Sequence, residues 1–108
     1  MDICLITDNI WVKNSLVKLL DFEYKLFHFE NFEKLINASY DHIFVDMQVN
    51  NNGGPSIVKE LKRNEAFNNS KITLLIDREA DIFQSKRVGT DNFLLKPIEK
   101  TNLKKIFT

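Results

Sequence analysis

The sequence predicts a three-layer α/β domain, a (βα)5 doubly wound arrangement built on a five-stranded parallel sheet. Five short segments rich in aliphatic and aromatic residues alternate with segments of helical period. Three of the five are apolar on both faces, the pattern of strands covered by helices on each side. A chain of 108 residues is long enough for one core and too short for two, so residues 1–108 read as a single domain.

The first strand is ICLIT, 3–7, and the helix after it places Trp11, Val12, Leu16, Leu19 and Leu20 on one face. YKLFHF, 24–29, is the second strand, followed by a shorter helical segment over 31–38. HIFVDM, 42–47, is the third; Gly53 and Gly54 open the next helix, where the backbone must be adaptable. That helix turns Ile57, Val58 and Leu61 to the core, together with the stem of Lys62. KITLLI, 71–76, leads to a fourth helix over 79–88 with Gly89 as its C-cap. NFLLK, 92–96, is stopped by Pro97, and the last helix runs over 99–107.

Hydrophobic residues make up 44% of the chain and charged ones 28%, an ordinary globular balance. Fifteen basic residues offset fifteen acidic ones, so no net field draws in nucleic acid or an anionic membrane. No apolar run approaches the roughly 20 residues that span a bilayer, and MDICLIT lacks the basic region of a signal peptide. Cys4 has no cysteine partner within the chain and lies in an apolar run, as a core thiol would. A cytoplasmic protein is expected, and a bias to lysine and asparagine suggests a bacterial, AT-rich genome.

In a doubly wound sheet, ligands bind beyond the carboxyl ends of the strands, where strand order reverses. Asp8, Asp46 and Lys96 fall at three such ends. Taken singly, an aspartate after a strand most often caps a turn or helix. Two carboxylates and a lysine at three ends of one sheet instead suit a hard cation and a phosphoryl group.

Through ICLITD, HIFVDMQVNNNGG and GTDNFLLKP, nearly its whole length, the chain resembles the receiver domains of bacterial two-component response regulators, which have a flavodoxin-like fold. The resemblance implies phosphoryl transfer to Asp46 from a histidine kinase or phosphotransfer protein, with Lys96 contacting the acyl phosphate. It implies Mg²⁺ ligands at Asp8, Asp46 and the backbone carbonyl of Gln48, and a mobile aromatic switch at Phe93. Partners implied downstream are an output protein or the chain's own effector domain. Some receivers also form a homodimer through helix 4, strand 5 and helix 5, where Ile82, Phe83, Arg87, Lys104 and Lys105 would serve.

Departures from the family pattern surround Asp46. Thr7 stands where the first of two acidic residues is usual, so Mg²⁺ binding is expected to be weak or absent. The hydroxyl that normally ends strand four is replaced by Ile76, counting from Asp46, or by Leu74, counting back from Lys96. Asp77 either adds negative charge at the mouth of the site or caps the fourth helix. The NNNGG stretch is expected to loosen the loop after the acceptor.

Two outcomes stay open: a phosphoaccepting receiver with a degenerate site, or a phosphorylation-independent pseudo-receiver acting as a protein-interaction module. A small phosphate-processing enzyme is a remote third, since the second acid such an enzyme wants is Gln48 here. His28 and His42 lack a third metal ligand at suitable spacing, Ser15 and Ser56 lack a partnered base, and Trp11 and Phe22 fit packing or a surface anchor. No nucleotide-binding glycine loop and no basic stripe are present, so direct nucleic-acid binding is not expected.

Overall fold

The computed structural model describes residues 1–35 and 38–107. Its strands are β1 (Asp2–Ile6), β2 (Lys25–Phe29), β3 (His42–Asp46), β4 (Lys71–Ile76) and β5 (Asn92–Leu95), each within about two residues of its predicted bounds. They form one parallel sheet in the order β2-β1-β3-β4-β5. The helices are α1 (Ile10–Leu19), α3 (Gly54–Arg63), α4 (Ile82–Val88) and α5 (Lys100–Phe107), with α2 (Val49–Asn52) a single turn whose asparagines are not right-handed helical. Strand order reverses between β1 and β3, which opens the crevice at their carboxyl ends.

Alternation along the strands divides the core in two. Cys4, Ile6, Ile43, Val45, Ile72, Leu74 and Ile76 pack with Ile57, Val58 and Leu61 of α3 and Val88 of α4. Ile3, Leu5, Phe44, Leu75 and Leu94 pack with Val12 and Leu16 of α1 and Leu103 of α5. The thiol of Cys4 is fully buried, and burial pushes its pKa up to about 12, leaving it an inert core group.

Three expectations are corrected. The helix expected over 31–38 is, among the described residues, only a 3-10 turn at Phe32–Lys34, and Leu35 is already extended; residues 36 and 37 lie outside the described set. Residues three apart eclipse in a 3-10 turn, so this short form turns Phe32 and Leu35 together against the core. Trp11 does not share the buried face of α1: it is 77% exposed, and Phe22 is fully exposed. The asparagine run is not loose. Asn50, Asn51 and Asn52 have φ of 53°, 55° and 66°, a left-handed turn that asparagine tolerates better than other non-glycine residues. Its backbone is held by Asn50 N–H donating to Asp8 Oδ2 at 3.1 Å and Gly53 N–H donating to Val49 O at 2.7 Å.

Glycine at position 54 is required by proximity. A Cβ there would sit 2.5 Å from Asp46 O and 2.8 Å from Met47 Cα, so its absence lets α3 start directly against the end of β3. At Gly89 the reason is conformational: φ is 77°, the left-handed C-cap that ends α4.

Candidate functional site

Asp46 ends β3 with its side chain on the face shared by Phe44, and it is completely buried. Every strong bond it makes comes from a neighbouring strand end or its own turn. Thr7, just past β1, donates its hydroxyl to Asp46 Oδ2 at 2.7 Å. Gln48 N–H donates to Oδ1 at 3.1 Å, and the Lys96 ammonium, just past β5, reaches the same oxygen at 2.5 Å. A buried carboxylate needs such pairing, because desolvation without it costs several kcal/mol.

Thr7 is itself braced. Its hydroxyl accepts from Asn9 N–H at 3.1 Å, its N–H donates to Phe29 O at 3.0 Å, and its carbonyl accepts from His28 Nε2 at 2.8 Å. His28 therefore positions the residue that bonds Asp46, through the backbone. Its place in β2 one residue before Phe29 gave no sign of this, since the bond depends on which neighbour β1 presents.

Asp77 stands at the mouth of the site, the first of the two places expected for it. The register sets Leu75 opposite both Asp46 and Leu94, so Asp77, two residues on, returns to the same face. Its Oδ1 lies 3.0 Å from Lys96 Nζ, and its Oδ2 accepts from Gln48 Nε2 at 2.7 Å. Asp81 instead braces the turn that precedes the fourth helix, its Oδ2 accepting from the N–H groups of Asp77 and Arg78 at 3.2 and 3.1 Å.

Neither Ile76 nor Leu74 faces Asp46: both side chains lie on the opposite side of the sheet, in the core under α3 and α4. Ile76 is the last residue of β4, buried against the α3 and α4 side, with its carbonyl accepting Lys96 N–H at 2.8 Å. No hydroxyl stands there. Phe93 is on β5 and 38% exposed; Leu95 of the same strand and Phe83 of α4 are exposed as well. Of the residues named for a docking face, Ile82 packs against the core, whereas Arg87, Lys104 and Lys105 are exposed.

The proposed cation donors are already engaged within the chain. Asp8 is exposed and its carboxylate holds Asn50 N–H, the Gln48 carbonyl accepts Asn52 N–H at 3.4 Å, and the Lys96 ammonium fills the space between Asp46 and Asp77. Among the described residues, no three His, Cys, Asp or Glu side chains are placed to hold a metal ion.

No family model and no curated protein matches the sequence. Solved structures match its fold. The chemotaxis response regulator CheY4 of Vibrio cholerae superposes with a TM-score of 0.83 at 20% identity, covering 98% of this chain and 94% of that one. A response regulator from Burkholderia pseudomallei, carrying a phosphorylated aspartic acid, a calcium ion and citrate, gives 0.80 at 23% identity over 99% of this chain and 66% of that one. The receiver domain of a sensor histidine kinase from Pseudomonas aeruginosa, with magnesium in its active-site cleft, gives 0.72 at 21% identity over 97% and 92%. The chain has the flavodoxin-like fold of response-regulator receiver domains. Among the described residues no helix is long and apolar enough to cross a membrane.

Proposed function

We propose that the chain is a receiver domain of two-component signal transduction, with Asp46 as phosphoacceptor in a degenerate site. One observation carries this: at the switch point of a receiver-fold sheet, the strand-three carboxylate is held by the lysine that ends strand five. In the reaction, a carboxylate oxygen of Asp46 attacks phosphorus, the P–N bond of a phosphohistidine donor breaks, and the imidazole leaves with a proton. Lys96 then offsets the new negative charge. A histidine kinase or phosphotransfer protein is the donor, and the output is read by another protein, by an effector domain or by a second copy across α4, β5 and α5.

A second reading is favoured by a separate observation. Asp46 is fully buried with both oxygens already bonded, and Ile76 offers no hydroxyl to couple a phosphoryl group to α4. A pseudo-receiver that signals by binding alone would have this appearance. Acetyl phosphate at millimolar Mg²⁺ separates the two: a phosphoacceptor gains one phosphoryl mass, lost in Asp46→Asn, with NMR shifts around residues 46 and 96. No gain and no shift would leave the interaction module.

A further inference from the structure

We propose that Asp77 is a charge gate on the acceptor, an internal anion that holds the place at Lys96 where a phosphoryl oxygen must come. This rests on Asp46 being the phosphoacceptor and adds a specificity residue to that reaction.

Exposure falls in steps along the ion-pair chain: the Asp77 side chain is 33% exposed, that of Lys96 17%, and that of Asp46 0%. Solvent therefore meets Asp77 before it meets Lys96, and Lys96 before Asp46. The Lys96 ammonium already bonds two carboxylates, and Gln48 ties the second one down across the mouth. Asp77 is also anchored from behind, since its N–H is bonded to the buried Asp81.

The consequence for a phosphoryl donor is electrostatic and geometric. Two carboxylates share one ammonium, which leaves the cluster with an excess negative charge where a dianion must approach. A phosphoryl oxygen must compete with Asp77 for Lys96, and drawing Asp77 away strains its Gln48 bond as well. Once the acyl phosphate has formed, the freed Asp77 is repelled from the site, and its motion acts on the Asp81 turn that begins α4. The gate thus selects against free dianions such as inorganic phosphate and against small phosphodonors. A partner that brings its own positive charge to Asp77 opens it.

The test compares wild type, Asp77→Asn, Asp77→Ala and Glu79→Gln for the rate of phosphoryl labelling by acetyl phosphate, with Asp46→Asn as the zero. Asp77→Asn keeps size and removes charge, and urea unfolding confirms that each variant is folded. Two-dimensional NMR of the Gln48 side-chain amide, without any donor, reads the latch itself. The expected result is a labelling rate raised about tenfold in both Asp77 variants, the effect of releasing one charge-assisted bond. Glu79→Gln, which removes a nearby charge outside the cluster, stays at the wild-type rate, and the Gln48 amide shifts in the Asp77 variants alone. A wild type that labels with no gain in Asp77→Asn overturns the gate and leaves the phosphoacceptor standing. An equal gain in Glu79→Gln reduces the effect to general charge and overturns it too, as does an unmoved Gln48 amide. Absence of labelling in every folded variant removes both the gate and the phosphoacceptor.

Discussion

Thr7 and Thr73 are both fully buried, and strand alternation turns both toward the face covered by α1 and α5. Their hydroxyls meet opposite fates. Thr7, past the end of β1, donates to Asp46 and accepts from Asn9 N–H. Thr73, inside β4 and opposite Phe44, has no partner for Oγ1 among the described residues, and neither has Nδ1 of nearby His42. His42 is instead edge-on to Phe107 of α5, ring centres 4.9 Å apart. Within a covered strand a polar side chain sees mostly apolar neighbours. At the carboxyl edge, loops and strand ends bring donors to it, which is where buried charge can be held.

That contrast can be broken most severely at Lys96. Lys96→Met leaves Asp46 buried without its cation, and removing one partner of a buried pair is expected to cost about 3 to 5 kcal/mol in urea unfolding at pH 7. The two threonines then give the same chemical change with opposite signs. Thr7→Val removes a bond to a charged group and should destabilise by about 1.5 to 3 kcal/mol. Thr73→Val removes an unpartnered hydroxyl from the core and should stabilise by about 1 kcal/mol. Equal effects of one sign would end the distinction between the two ends of the face.

The smallest effect is expected from His42. Burial lowers its pKa below the ordinary 6.5; Asp41 and Asp91 pull it up, Lys71 pushes it down, and burial prevails. The unfolded chain therefore binds the proton first as pH falls below about 6.5. Stability contributed by the neutral ring is complete above that pH and declines as pH drops toward the depressed native value. Urea midpoints between pH 5 and 7 should show this slope in wild type and lose that component in His42→Phe.

The strands were legible because a covered parallel sheet writes itself as short continuous apolar runs, and Asp46 and Lys96 were legible because those runs end on them. Gly54 and Gly89 could be placed for the same reason, each at an element boundary. What escaped had two causes. The segment after β2 has helical spacing at Phe32 and Leu35, but a single 3-10 turn satisfies the same spacing, and sequence period alone does not separate them. The role of His28 depends on register between strands, and register is a property of paired chains. Trp11 was misplaced because an apolar residue at the first turn of a helix can face outward without disturbing the core.

The connection after β2 has a consequence for amide exchange. β1, β3 and β4 are buried along most of their length, whereas β2 is an edge strand paired only to β1, and none of its residues is fully buried. Elements with least cover open first in the native state. Deuterium should thus enter β2 ahead of β1, β3 and β4, and His28 and Phe29 of that strand are the residues that brace Thr7. Fraying at one rim of the sheet is transmitted through Thr7 to the carboxylate at its centre.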